Sequence, residues 1–275
     1  PSQTLIVIGT RLHLAYRSEL TSWFFTQFGV KVHVDPGETS KQRVCADQAL
    51  ADFGGVSISY QRSFEEFFSI RRASAVDVHF TYASGWAELE VLSGSSIQQF
   101  VANGYLYDQA FSKVGQRAAE IRNNLMSSGA KYIICFLDQN SVPNKKNGPS
   151  HEQRAEDYRE LLKRLLADPA MGLIFKPKKP ADLSRRLGEV GKLLDAALKT
   201  GRCYMFQEGI IATDAFPCEA SAASDVTIAL ISGSTAATES ALAGSPTLLL
   251  DRESVGYHPL HELGDGKVVF QDWPS

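Results

Sequence analysis

The chain of 275 residues holds only four cysteines, Cys45, Cys135, Cys203 and Cys218, and no two form a CxxC. No Cys/His spacing reads as a zinc site, which sets aside a zinc ribbon or a CxxC redox centre. The four are expected to be reduced, small and buried, as in a cytosolic protein. No apolar run is long enough to span a bilayer, and no segment has the layout of a signal peptide. Basic residues are not in excess: Lys and Arg number 28 against 31 Asp and Glu, for a net charge of −3. That balance argues against a general nucleic-acid binder, while local basic clusters can still serve an anionic ligand. Neither GxGxxG nor GK[ST] occurs, so the dinucleotide fingerprint and the P-loop are both missing. Short repeats, low-complexity tracts and flexible linkers are missing too.

What is present is an apolar content of 44% with 21% charged residues, enough for a sizeable core. Short apolar runs alternate with helix-like segments. "TLIVIG" predicts a strand, "SELTSWFFTQFG" a helix and "VKVHVD" a strand. "VSISY", "DVHFTY" and "SIQQFVANG" follow as strands, separated by helical "SFEEFFSIRRA" and "GWAELEVLS". Phe64, Phe67 and Phe68 read as core, and Arg71 and Arg72 as solvated helix charges. The second half repeats the grammar. "KYIICFLD", "GLIFKPKKP", "CYMFQE", "VTIALIS" and "PTLLLD" predict strands. "HEQRAEDYRELLKRLLAD" predicts an amphipathic helix with Tyr158, Leu161, Leu162 and Leu165 on one face. "ADLSRRLGEVGKLLDAALKTG" predicts one helix closed by Gly201. Strands alternating with helices argue for an α/β fold with parallel, doubly wound sheets. The expectation is two Rossmann-like domains, 1–126 and 127–275, divided by the polar helix-like stretch around 112–130. Such sheets bind ligands beyond the carboxyl ends of their strands, so the active site is expected in the cleft between the domains.

The most informative stretch is "LISGSTAATESALAGSPTLLLD", residues 230–251. A strand ending at Ser232 runs into "SGST", and a helix is expected from about Ala236. Unpaired N–H groups at a helix start, with the helix dipole, favour an anion. Gly233 lets a ligand approach the backbone, and Ser232, Ser234 and Thr235 add hydroxyls, so the turn suits a phosphate. Glu239, one turn on from Thr235, is placed to accept the hydroxyls of a ribose. The alternative is that Ser234 or Thr235 merely caps the helix.

These residues resemble a known group. "SGSTAATESALAGSPTLLLD" is similar to the donor-nucleotide motif in the C-terminal domain of GT-B glycosyltransferases. "IFKPKKP" resembles the strand-end motif of capsule and lipopolysaccharide transferases, several of which use CMP- or CDP-activated donors. "KP" with "SGST" resembles bacterial sialyl- and Kdo-transferases that hold CMP. The resemblance covers about residues 130–275, and the N-terminal half follows by fold pattern alone. Lys178 stands where many relatives have His, no "DDG"-like acid motif is present, and the N-terminal domain is short for a full GT-B protein.

Asp138, at the carboxyl end of "ICFLD", is the first candidate for catalysis, as a general base or as the nucleophile of a retaining transfer. The competing duty is to cap a turn in "DQNSVPN". Glu208, ending "FQE", is the second, as acid/base or as a binder of sugar hydroxyls. Lys176 and Lys178 alternate with Pro177, so they are expected to share a face and to offset the charge of the donor phosphate or a sugar carboxylate. His258 is expected to touch the donor. His258 and His261 do not make a metal site, for want of a third ligand. Arg11, His13 and Arg17 after the first expected strand, and Gln61 and Arg62 after "VSISY", are the acceptor-side candidates.

The resemblance implies a metal-independent, nucleotide-sugar-dependent transferase without a bound cofactor, moving Kdo from CMP-Kdo to a saccharide or lipid-linked saccharide of the bacterial surface. It would act in the cytoplasm, at the inner face of the inner membrane or in a complex there, and without nucleic acid. The alternatives are a CDP-polyol phosphotransferase, a UDP-sugar 2-epimerase, and a non-catalytic nucleotide- or sugar-binding module.

Overall fold

The structure is a computed structural model that describes residues 3–36, 41–64, 68–70, 73–143, 149–207, 216–256 and 258–273. The chain divides into two compact units, Pro1–Leu106 and Tyr107–Ser275. The division falls earlier than 126/127. The helix expected at the boundary, α4 (Gly115–Ser127), belongs to the second unit, where it buries Ala118, Ile121 and Leu125 in the core.

Unit 1 is a four-stranded parallel sheet in the order β1 (Val32–Asp35), β2 (Val56–Tyr60), β3 (Ala75–Thr81), β4 (Ser96–Ala102). Helix α2 (Lys41–Phe53) connects β1 to β2, and α3 (Gly85–Leu92) connects β3 to β4. "TLIVIG" is not a strand. It opens α1 (Gln3–Phe28), a helix of 26 residues. No Pro, Asn or Asp interrupts the chain between Gly9 and Ser18, so nothing ends a helix there, and an apolar run alone does not separate helix from strand. The helix rests on α2 through Phe25, which packs with Ala46, Ala49 and Leu50. Leu12, Tyr16 and Trp23 on α1 stay exposed. Phe67, Arg71 and Arg72 lie outside the described residues. Phe68 is exposed rather than core, while Phe64 meets Trp86 edge-on.

Unit 2 is a six-stranded, fully parallel sheet in the order β10-β9-β8-β5-β6-β7. The strands are β5 (Tyr132–Leu137), β6 (Met171–Lys176), β7 (Cys203–Met205), β8 (Val226–Leu230), β9 (Thr247–Leu250) and β10 (Val269–Phe270). The chain builds outward from β5 through β6 to β7, then returns to build from β8 through β9 to β10. That order is the doubly wound Rossmann one, with its switch point between β5 and β8. Strand β5 serves both faces. Ile133, Cys135 and Leu137 join α4 and Ala237 of α9 (Ser234–Leu242) in one core layer. Phe136 points the other way, into a layer with Tyr158, Leu161, Leu162 and Leu165 of α5 (His151–Ala167). Those four α5 residues are the ones its periodicity selects, and Tyr158 stacks on Phe175 with ring centroids 4.5 Å apart. Each such burial contributes about 1.5–3 kcal/mol.

The segment 181–201 is not one helix. Gly188 adopts φ 52 and breaks it into α6 (Leu183–Leu187) and α7 (Gly191–Lys199). Gly201 does close it, with φ 70. A short helix, α8 (Pro217–Ala222), precedes β8. The four cysteines are free and buried, as expected. Among the described residues no helix is long and apolar enough to cross a membrane.

Gly172 in β6 tests the packing. A Cβ there would lie 2.9 Å from both Ala130 Cβ and Ile133 Cγ1 and 3.3 Å from the Tyr132 carbonyl oxygen. Gly172→Ala is therefore expected to destabilise unit 2 by about 1–3 kcal/mol through overpacking, read from the urea midpoint.

Candidate active site at the strand switch point

Register places Leu137 of β5 beside Ala229 of β8, so the chain leaves both strands at the same edge. After β8 a single tight turn, Ile231–Gly233, feeds straight into α9. The helix begins at Ser234, two residues earlier than expected, with Gly233 in the N-cap position. Ser234 and Thr235 thus lie inside the first helical turn, and neither is the capping residue. Ser234 is buried and Thr235 half-buried. Ser232 is held at two points. Its carbonyl accepts from Gln139 Nε2 at 2.6 Å, and its hydroxyl donates to Glu253 Oε1 at 2.9 Å. Ser232 therefore shapes the turn from behind, and its hydroxyl is engaged with a carboxylate rather than presented to a phosphate.

Gln139 has a second bond. Its Oε1 accepts from Lys178 Nζ at 2.9 Å. Since a lysine only donates and a carbonyl only accepts, these two partners fix which end of the amide points where. The loops after β5, β6 and β8 are thereby joined in one chain of contacts. Lys176 and Lys178 are not equivalent. Strand β6 ends at Lys176, which is only 8% exposed, while Lys178 lies past Pro177 in solvent. Burial lowers the Lys176 pKa, and the nearby Glu239, together with Cys135, Glu219 and Asp138, raises it in opposition.

Glu239 is also buried, and its Oε1 accepts the Cys218 backbone N–H at 2.9 Å, at the start of α8. Glu219 of α8 lies 3.7 Å from Arg117 of α4, whose guanidinium sits 5.4 Å from the Phe206 ring centroid. Burial first, and the Glu239 charge second, push the Cys218 thiol pKa up, so it is an inert thiol.

Asp138 is placed at the site, but its side chain has no exposed surface. Its Oδ2 accepts from Arg186 at 2.8 Å, and the same guanidinium donates to the Gln139 carbonyl at 3.3 Å and to Ser141 Oγ at 3.4 Å. A nucleophile or general base must reach the reacting atom, and this carboxylate faces a guanidinium inside the protein instead. Burial raises its pKa, with Arg186 pulling the other way. Behind it lies Arg154 of α5, 0% exposed, with Asp157 Oδ2 at 3.1 Å and Glu253 Oε1 at 3.6 Å.

Sequence reasoning gave no role to Arg186, Arg154, Glu253 or Gln139. The signal for Arg154 was available: it stands four before Tyr158 and seven before Leu161, on the apolar stripe of α5, where a charge needs an internal partner. Glu208 lies outside the described residues. His258 is buried, with Nδ1 accepting the Leu260 N–H at 3.2 Å. Among the described residues no group of three or more His, Cys, Asp or Glu side chains is placed to hold a metal ion.

The unit 1 candidates have other surroundings. Arg11, His13 and Arg17 lie along α1, not at a strand end, because "TLIVIG" is helical. Gln61 is buried and fastens two strand ends: Nε2 donates to the Ser63 carbonyl at 3.0 Å, and Oε1 accepts from Tyr82 N at 2.9 Å. Arg62 is exposed.

No family model matches the chain, and no curated protein matches it in sequence. Solved structures do match in fold. A protein of Listeria monocytogenes assigned as a UDP-N-acetylglucosamine 2-epimerase aligns over 86% of this chain and 60% of its own, at 12% identity and TM-score 0.55. HepE of Anabaena, solved with UDP and glucose, covers 86% and 62% at 10% identity and TM-score 0.48. A UDP-forming trehalose-phosphate synthase of Burkholderia vietnamiensis covers 87% and 63% at 9% identity and TM-score 0.45. Of these three the Listeria structure alone passes 0.5, and at its identity it bears on fold alone. The Listeria structure thus shows an α/β fold of GT-B type with parallel Rossmann-like sheets. The chain spans 60–63% of the length of these three structures.

The Asp138–Arg186 pair is the most consequential contact here. Arg186→Met strands a buried carboxylate and is expected to cost about 3–5 kcal/mol of unit 2 stability. Pairing it with Asp138→Leu is expected to recover most of that loss in a double-mutant cycle by urea denaturation. Simple additivity of the two single losses contradicts the pairing.

Proposed function

We propose that this chain binds a nucleotide-activated sugar at the β5/β8 switch point and belongs to an enzyme that transfers the sugar, with CMP-Kdo as the favoured donor. The observation that carries the proposal is the turn Ser232–Thr235. It lies at the switch point and opens directly into α9 with a glycine as N-cap, and Lys178 from the β6 loop is tied to it through Gln139. A single phosphate suits the turn, since the backbone N–H groups of a helix start and the helix dipole favour an anion without a metal ion. The same groups stabilise the charge on a departing CMP phosphate. Lys178, which donates to Gln139 Oε1, is assigned to that phosphate or to the sugar carboxylate. Glu239, oriented by the Cys218 N–H at one oxygen, faces the ribose, and His258 lines the donor side. Asp138 is given a positioning duty: through Arg186 it orders the loops after β5 and β6. The acceptor, a saccharide or lipid-linked saccharide, and action near a membrane surface belong to the same proposal.

A nucleotide-sugar 2-epimerase is the alternative, favoured by the assignment of the Listeria neighbour. It uses the same nucleotide site and needs no acceptor. A CDP-polyol phosphotransferase shares the site but attacks phosphorus.

A thermal-shift panel with CMP, CDP, UDP, GDP and ADP separates these. Selective stabilisation by CMP is expected, amounting to about 2.7 kcal/mol at a hundredfold excess over Kd. Lys178→Ala is expected to weaken CMP binding about tenfold with an unchanged ligand-free midpoint, as an exposed side chain allows. A preference for UDP, with conversion of a UDP-sugar in the absence of acceptor, selects the epimerase. A preference for CDP selects the phosphotransferase. No shift with any of the five rejects a nucleotide site.

A further inference from the structure

The loop after β9 reaches the anion turn through Glu253, and it is built around one carboxylate. Asp251, 1% exposed at the end of β9, uses Oδ1 to accept the backbone N–H groups of Glu253 at 3.2 Å and Val255 at 3.0 Å. It thereby folds residues 251–255 into a hook that carries Glu253 to the Ser232 hydroxyl. Its other oxygen faces His261 Nε2 at 3.1 Å, and His261 Nδ1 lies 2.6 Å from Asp265 Oδ1. An imidazole wedged between two carboxylates satisfies both only when both nitrogens carry protons, because a neutral ring has one donor and one acceptor.

We propose that His261 is a positioning residue for the anion turn: as an imidazolium clamped between Asp251 and Asp265 it holds the 251–255 hook, and through Glu253 it sets Ser232. The proposal rests on the turn being the ligand site. The path is contiguous, running His261–Asp251–Glu253–Ser232, with every link a hydrogen bond. Among the described residues, the charged groups on the surrounding elements have the following partners. Arg252 on the hook pairs with Glu156, Asp157 and Asp272, and Glu253 pairs with Arg154. His258, on the same turn of chain, accepts a backbone N–H at Nδ1. Glu262 stands next to His261, and Lys267 belongs to the turn that carries Asp265. The bond to Asp265 raises the His261 pKa, burial opposes, and Asp251 raises it further. A histidine whose folded-state pKa is raised contributes its stabilisation in full below the unfolded value and loses it as pH rises through the folded one. The clamp is therefore closed below the ordinary histidine pKa and opens as pH rises through the raised one.

The test is CMP affinity of the full chain between pH 6 and pH 8.5, for wild type and His261→Gln, with the His261 ring titration followed by NMR. Titration of the CMP phosphate is common to both proteins and cancels in their ratio. Wild type is expected to bind about fivefold more tightly than His261→Gln at pH 6, and the ratio to fall to about one as His261 deprotonates. Asp265→Asn is expected to move that fall to lower pH. A ratio independent of pH overturns the proposal. If CMP does not bind at all, the nucleotide site fails, and the Ser232–Thr235 backbone amides still report. Shifts that follow the His261 titration in wild type and vanish in His261→Gln uphold the coupling, and amides that ignore it overturn the proposal.

Discussion

Two neighbouring parallel strands, β5 and β8, set the geometry of everything at the ligand end of unit 2, because the chain leaves them in opposite directions across the sheet. At such a switch point backbone N–H groups, hydroxyls and charged side chains meet at the carboxyl edge of the sheet. Gln139 is the bolt across that gap. It lies at the end of the central strand, grips the Ser232 carbonyl with one end of its amide and Lys178 with the other, and so converts two independent loops into one wall. An amide suits this task because it offers a donor to the Ser232 carbonyl and an acceptor to the lysine, whereas a carboxylate in its place would repel that carbonyl.

Behind the wall the molecule accepts a considerable electrostatic cost. Asp138 and Arg186, with Arg154, Asp157 and Glu253 further back, form a buried ionic layer beneath the loops. Buried ion pairs are weak contributors to stability, since desolvation consumes most of the Coulombic gain, but losing one partner is severe. Such a layer is better understood as setting geometry. Arg186 ties the ends of the β5 and β6 loops to a single guanidinium, and Arg154 fixes Glu253, which fixes Ser232.

Much of this was legible in sequence, for physical reasons that also mark where legibility stops. The runs "KYIICFLD", "VTIALIS" and "PTLLLD" are bounded by turn formers and are too short for buried helices, so they read correctly as strands of a parallel sheet. The stripe Tyr158–Leu161–Leu162–Leu165 gave α5 its buried face. "TLIVIG" has the same composition as those strands but nothing to stop a helix after it, and the strand-end placement of Arg11, His13 and Arg17 went with it. The break at Gly188 was open to the same kind of reasoning, since a glycine inside a helical pattern invites a positive φ. The anion turn was visible because strand, glycine, hydroxyls and helix are consecutive. The groups that hold it were not, because Arg186, Arg154, Gln139 and Glu253 meet across long stretches of chain, and pairing at that distance leaves no mark in local spacing. Asp138 was found for its position at a strand end, while its partner, which decides what it does, lies on α6.

The central claim is that the switch-point turn is where an anionic nucleotide sits. The most direct measurement is a backbone amide chemical-shift titration of the full chain with CMP. The account predicts saturable shifts concentrated at Ser232–Thr235, at Asp138–Gln139 and at Lys178, the residues brought together at the carboxyl ends of β8, β5 and β6. Saturable shifts that leave these residues unmoved and cluster elsewhere, or no saturable shifts at all, would contradict it.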